Sequence, residues 1–204
     1  MLGTLRLAGF ETVALPDGFF DVVVGNVPFS NYPVLDSRYK KHPALTRSIH
    51  DYFLAKSVDL VRPGGLLALI TSRHTLDKQN SAVREYVAAK ANLLAAVRLP
   101  NGTFRANAGT DVTTDLLFLH RRESAVPEQA QSWLHLKTLK TGDGPVEINE
   151  YFVDHPQHML GTPALDSTQY AAAEFTQRTV LPTTLRRRSQ RRSRRPVCNI
   201  DKPG

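Results

Sequence analysis

The chain has 204 residues and is 41% hydrophobic, which supports one domain with a sizeable core and excludes both a wholly disordered chain and a mini-protein held by staples. Its formal charge of +7 suggests a polyanionic partner, but Arg186, Arg187, Arg188, Arg191, Arg192, Arg194 and Arg195 crowd one stretch. Removing those seven from 26 basic side chains leaves 19 against 19 acidic ones, so the basic signal belongs to the tail and not to the domain. The single cysteine, Cys198, can form no internal disulfide and suits a reducing compartment. No apolar run approaches the roughly 20 residues that span a bilayer, and no leader-like amino terminus is evident, so a cytoplasmic protein without a membrane partner is expected.

Residues 20–26, Phe-Asp-Val-Val-Val-Gly-Asn, read as a strand buried on both faces. Prolines 28, 33 and 43, with Asn31, Asp36 and Ser37, then impose a long exposed connection. Ser48 with Asp51 marks a helix start, and Ile49, Phe53, Leu54, Val58 and Val61 recur at helical spacing until Pro63-Gly64-Gly65 is expected to stop the helix. Leu66–Thr71 reads as a buried strand, Asp77 to about Ala91 as a helix, and Leu93–Leu99 and Asp115–His120 as strands around a Gly102–Thr114 loop. The order β-α-β-α-β-β predicts an α/β fold with parallel early strands. Trp133–Leu139 and Val146–Val153 read as short strands of an appendage or arm. The expected division is an α/β domain, incomplete by itself, over 1–122, appended strands or arm over 123–165 and a disordered Arg-rich tail over 166–204.

The chemically informative stretch is Asn26-Val27-Pro28-Phe29, set directly after a strand. Methylating an exocyclic amino group requires its lone pair, delocalised into the ring, to be localised towards the incoming methyl. An Asn26 side-chain oxygen and a Val27 carbonyl supply two acceptors for that amino group, while Pro28 restricts φ so that the loop keeps its geometry. Phe29 is placed to stack on the base. Extruding a base from a duplex costs a few kcal/mol, and stacking on one ring returns roughly 1–3 kcal/mol, so Phe29 is a partner for the base and not its whole binding energy.

Strand, Asn-x-Pro-Phe, helix, Pro-Gly-Gly and apolar strand together resemble the second half of the amino-group DNA methyltransferases. That family usually writes the motif Asn-Pro-Pro-Tyr or Asn-Pro-Pro-Phe. Here Val27 replaces the first proline, a change compatible with a backbone carbonyl role. Val24-Gly25-Asn26-Val27-Pro28-Phe29-Ser30-Asn31-Tyr32, Ser48-Ile49-His50-Asp51-Tyr52-Phe53, Ile70-Thr71-Ser72, Thr110-Asp111-Val112-Thr113-Thr114-Asp115 and Asn149-Glu150-Tyr151-Phe152-Val153 are similar to adenine methylases fused to helicases in phages and mobile elements. The likeness covers about residues 9–162. It implies a Rossmann-like class I methyltransferase fold, represented by its carboxyl-terminal strands and a terminal antiparallel pair and incomplete at the amino end. It also implies transfer from S-adenosylmethionine to a flipped adenine in DNA, with Asn26, Val27, Pro28 and Phe29 catalytic and Phe29, Asn31 and Tyr32 touching substrate. The family's donor-binding glycine turn and acidic residue precede the Asn-Pro-Pro motif. The 25 residues before Asn26 cannot hold two strand-helix units, so the donor site is expected upstream, on another methylase half. A helicase module is a further expected partner, and the chain by itself is expected to be inactive.

Gly142-Asp143-Gly144 is the sole Gly-x-Gly; it follows no clear strand and reads as an ordinary turn. His42, His50 and His74 show no metal-ligand spacing, and His155 with His158 lacks a third ligand. Arg73, Lys78 and Arg105 sit near strand ends, where they either touch phosphate or form solvated surface. The arginine tail fits a salt-sensitive phosphate-binding arm or, preferably, translation past a frameshift. Two other functions stay open: a methyltransferase for RNA or protein glutamine, and a noncatalytic nucleic-acid-binding remnant.

Overall fold

A computed structural model of the protein describes residues 5, 7–28, 30, 32–104, 112–124, 131–166 and 174–178. β1 (Phe20–Asn26) leads through a long loop to α1 (Ile49–Leu60), which runs without a spacer into β2 (Val61–Ser72). The Ser48 hydroxyl accepts the Asp51 amide, so α1 starts as its sequence signal indicates. It stops earlier than expected, at Leu60, where the Val61 amide donates to the Ser57 carbonyl. Pro63-Gly64-Gly65 lie instead within β2 as an excursion from its ladder, since Phe20 pairs with Val61 and Val22 next with Leu66. Gly64 has φ +77°, in the region that favours glycine. A Cβ on Gly65 would lie 2.7 Å from the Asp21 carbonyl oxygen and 2.5 Å from Val61 Cγ1, so this residue admits the close approach of two strands.

The helix expected over residues 77–91 is broken into α2 (His74–Asp77) and α3 (Ala82–Ala88). Lys78 has extended backbone, and the Asn80 side chain accepts the Ala82 amide, a local hydrogen bond that competes with helix continuation. β3 (Ala91–Leu99) and β4 (Thr114–Arg121) complete a four-stranded sheet in the order β1-β2-β4-β3. β1 and β2 are parallel, and β4 is antiparallel to both of its neighbours. The fold is thus α/β, and β4 with β3 supplies the antiparallel pair.

One face of this sheet carries Leu67, Leu69, Ala96, Leu117 and Leu119, which join α1 and α3 in the hydrophobic core. Over β1 and the adjoining parts of β2 and β4 the opposite face is left uncovered by the described residues, correcting the expectation that β1 is buried on both sides. Val22 is 52% exposed, Val24 75%, Leu66 45% and Phe118 39%. The pairings Val22↔Leu66, Val24↔Ala68 and Ala68↔Phe118 put these side chains in one apolar field. It includes a depression of about 340 Å³ lined by Val24, Asn26, Ala68, Ile70, Leu116 and Phe118 among others.

Beyond β4, a 3-10 turn at Ser132–Leu134 precedes the hairpin of β5 (Leu136–Thr141) and β6 (Gly144–Asn149). Gly142-Asp143 form its tip, so the Gly-x-Gly is a turn. The second strand expected here ends early, because the Asn149 side chain accepts the Tyr151 amide and starts α4 (Glu150–Asp154). β7 (Thr162–Asp166) pairs with β8 (Glu174–Arg178). β8 lies inside the segment read as tail, and its Phe175 enters the same core as Trp133, Ile148, Tyr151 and Phe152. A buried aromatic and a paired strand override the weak periodicity there. The run from Arg186 to Arg195 lies outside the described residues. Among those described, no helix is long and apolar enough to cross a membrane.

Replacing Gly65 with alanine should destabilise the protein by about 1–3 kcal/mol, the usual cost of forcing extra volume into a packed contact; a urea-unfolding midpoint that does not fall would refute the close-approach account.

Candidate active site

β1 and β2 are parallel, β1 ending level with Ile70, two residues before the β2 end, and in open α/β sheets ligands bind outside the carboxyl ends of the strands. Asn26 is the last residue of β1 and pairs with Ile70. The Val27 amide then donates to the Ile70 carbonyl at 2.9 Å, extending the ladder by one residue, and the Val27 side chain is buried. Strand alternation puts Asn26 on the other side, with Val22 and Val24, where it is exposed. Pro28 is exposed, and its carbonyl accepts the Ser30 amide at 3.1 Å. Phe29 and Asn31 lie outside the described residues. Tyr32 is 52% exposed.

The loop after β1 is tied down at Val34 and Asp36. The Val34 amide donates to the Thr46 carbonyl at 2.9 Å. Asp36 accepts the Arg38 amide at 2.9 Å and the Tyr52 hydroxyl at 2.8 Å, with the Lys56 ammonium 3.6 Å away. Burial favours the protonated Asp36, but these partners outweigh it and hold the carboxyl below its ordinary value. Lys56 is itself buried. It donates to the Phe10 carbonyl and, at 2.9 Å, to the Tyr52 hydroxyl, and it lies 4.7 Å from the centre of the Phe10 ring. Burial lowers its pKa although Asp36 opposes the shift. One cation thus joins the amino-terminal segment, the loop and α1.

Beside the β2 end, Ser48, His50, Asp51, His74 and Lys78 line a cavity of about 310 Å³. Lys78 donates to Asp51 at 2.5 Å, linking α2 to α1. Burial holds His50 below the ordinary imidazole value, with Asp51 opposing and His74 and Lys78 adding to the shift. Of the other sequence candidates, Arg73 faces Asp77 at 3.7 Å and the Phe175 ring at 5.8 Å, so it is engaged in the fold. His42 packs on Tyr86. His155 stacks on Tyr151, whose hydroxyl bonds with His158 Nδ1 at 2.8 Å. Arg105 lies outside the described residues. Among those described, no three His, Cys, Asp or Glu side chains gather as a metal site.

The edge is braced by a group that motif reading missed. Arg98 on β3 is wholly buried. Its guanidinium donates to Asp115 at 2.8 and 2.9 Å and to Asp77 at 2.9 and 3.0 Å. It lies 4.2 Å from the Phe152 ring centre and 5.3 Å from that of Phe175. Burial alone would lower the Arg98 pKa, but the two carboxylates prevail and raise it, keeping the charge. Asp77 also accepts the Asn149 amide at 2.9 Å. The available signal was a lone arginine in Leu-Ala-Ala-Val-Arg-Leu and a lone aspartate heading Leu-Leu-Phe-Leu, two opposite charges in apolar strands.

Residues 7–104 match the Eco57I restriction-modification methylase family. The Defense against restriction protein B of Escherichia phage P1 is 30% identical over 146 residues, covering 69% of this chain and 6% of that protein. The chain therefore spans a small part of this relative. A structure from a study of type I R-M system assembly and conformational transition is 28% identical, covering 50% of this chain and 21% of the other, with a TM-score of 0.44. A modification subunit assigned to a type I restriction enzyme of Vibrio vulnificus YJ016 is 24% identical (51% and 23% covered, TM-score 0.44). A structure from Listeria monocytogenes assigned to the class I S-adenosylmethionine-dependent methyltransferases is 22% identical (59% and 38% covered, TM-score 0.45).

Arg98→Met should cost about 3–5 kcal/mol, because it leaves two buried carboxylates without their cation. Equilibrium denaturation would measure it, and a loss below about 1 kcal/mol would show that the network does not brace the edge.

Proposed function

With residues 7–104 matching the restriction-modification methylase family as the premise, we propose that this chain is the target-base half of a DNA adenine-N6 methyltransferase. The observation that carries the proposal is the exposed Asn26 at the carboxyl end of β1, held in place by the Val27–Ile70 hydrogen bond. A flipped adenine presents its amino group to the Asn26 side-chain oxygen and the Val27 carbonyl. Both accept its hydrogens and concentrate the lone pair on the nitrogen. Pro28 limits the loop's freedom, Phe29 stacks on the ring, and Asn31 and Tyr32 contact the substrate.

S-adenosylmethionine supplies the methyl group in this reading, but the described residues do not fit its cradle. The only Gly-x-Gly is the tip of the β5–β6 hairpin, with no strand-turn-helix to hold a donor. We assign donor binding to an upstream methylase half. The exposed apolar field of Val22, Val24, Leu66 and Phe118 supports that assignment, since contiguous exposed apolar patches mark surfaces that a partner covers. DNA is the substrate, a helicase module is a second proposed partner, and the setting is cytoplasmic. By this account the isolated chain transfers no methyl groups.

The test is transfer of labelled methyl from S-adenosylmethionine to unmethylated DNA by the chain, by the chain joined to its upstream reading frame, and by the joined Asn26→Ala variant. Labelled adenine should appear with the joined protein alone, and Asn26→Ala should abolish it; donor binding without DNA labelling would reject DNA in favour of RNA or protein glutamine. Val24→Lys on the bare face should weaken association of the chain with a separately produced upstream half by at least about tenfold, given the cost of burying an unpaired ammonium, as read by titration calorimetry. Unchanged affinity would mean that this face is not covered by that half.

A further inference from the structure

Ser72 and Thr114 close the sheet at its active edge. They are paired across β2 and β4, 2% and 1% exposed, and both hydroxyl oxygens are buried without a hydrogen-bond partner. A buried hydroxyl left unpaired costs free energy in any folded protein, and native structures carry few of them. Two side by side at the end of one sheet need a reason.

Their position supplies one. On β2, Leu67, Leu69 and Thr71 point into the core, and Thr71 bonds Thr75 there. Leu66, Ala68, Ile70 and Ser72 alternate to the other side. Thr114, Leu116 and Phe118 follow the same side of β4, and Asn26 follows it on β1 through Asn26↔Ile70↔Leu116. Ser72 and Thr114 therefore form the row next beyond Asn26 on the Asn26 face. Neighbouring strands are about 4.8 Å apart and two residues of strand cover about 6.8 Å, so Ser72 stands about 8 Å from Asn26 at the backbone. That spacing puts the two hydroxyls and the Asn26 amide on one face of the sheet, within the span of a single base.

We propose that the Ser72 and Thr114 hydroxyls are substrate contacts that pair with ring nitrogens of the target base while Asn26 holds its amino group. The inference rests on the adenine-methylase reading and adds two positions to it. A hydroxyl both donates and accepts, so the pair can meet a ring nitrogen, which accepts, whereas the amino group is left to the acceptors at Asn26 and Val27. Both oxygens are shut off from bulk water, so a base inserted at the edge would meet them without competition from solvent. A site built to bond such an atom rejects a ligand lacking it, because the buried polar groups are then left unpaired.

The chemistry separates substrate contact from structural support, since an unpaired hydroxyl contributes no hydrogen bond to the fold. The full chain would be titrated with deoxyadenosine monophosphate and thymidine monophosphate, using equilibrium dialysis, for the parent, Ser72→Ala, Thr114→Val and the pair. The parent should prefer the adenine nucleotide. The double variant should lose about tenfold in that affinity, the scale of two lost neutral hydrogen bonds, without losing thermal stability, and Thr114→Ser should retain the parent's affinity. Equal affinity in parent and double variant, or no preference for adenine in the parent, would overturn the proposal. A fall in melting temperature that tracks the lost affinity would also overturn it, by showing a structural role. The labelled-methyl assay with Asn26→Ala tests the underlying reading on its own: methyl transfer lost with Asn26→Ala, but adenine affinity indifferent to Ser72 and Thr114, rejects this inference and leaves the enzyme assignment standing.

Discussion

The arrangement depends on one buried charge. Arg98 is removed from water, and an isolated guanidinium there would be prohibitively costly. Four hydrogen bonds to Asp77 and Asp115 and two aromatic faces offset that cost. The partners come from α2, β4, α4 and β8, so meeting the needs of one side chain fixes the relative positions of elements far apart in sequence. Such a network adds less net stability than its bond count suggests, but it permits few alternative packings. Asp77 ends α2 and also accepts the Asn149 amide, so the helix break after β2 and the start of α4 share a carboxylate.

A second buried cation does the same work on the other side of the edge. Lys56 gathers the Phe10 carbonyl, the Tyr52 hydroxyl and Asp36, and so anchors a loop whose composition offers no secondary structure of its own. Between these anchors the β1 and β2 ends stay open. Asn26 is exposed because Val27, the next residue, is drawn into the core and its amide into the ladder. The polarity of the site follows from strand alternation: one residue buries an apolar side chain, and its neighbour must face outwards.

Among the described residues the sheet has one covered face and one left largely bare over β1, and this asymmetry separates two kinds of apolar residue that look alike in sequence. Val23 packs against the core while Val22 and Val24 are exposed, although all three stand in one valine run. Hydrophobic burial favours covering such a face at roughly 25 cal/mol per Å². The exposed field is therefore a demand for a partner that the proposed upstream half would meet.

The amino-acid order alone determined the β-α-β-α-β-β succession, the Ser48 start of α1, the turn at Gly142-Asp143 and the position of Asn26-Val27-Pro28 at a strand end. Each depends on residues a few positions apart, through hydrophobic period, capping and turn chemistry. Other features were legible only in part. The prolines and glycines after α1 signalled a break, but whether they ended the helix or bulged the next strand depended on how closely β1 approaches Gly65. The split of the second helix followed from Asn80, and β8 from the burial of Phe175, neither marked by periodicity. The partners of Arg98, the anchoring of the loop by Lys56, the unpaired Ser72 and Thr114 hydroxyls and the identity of the open face were decided by tertiary structure. They arise from charges and hydroxyls brought together across strands and helices, where desolvation and hydrogen-bond satisfaction depend on which groups meet and not on the order in which the chain lists them.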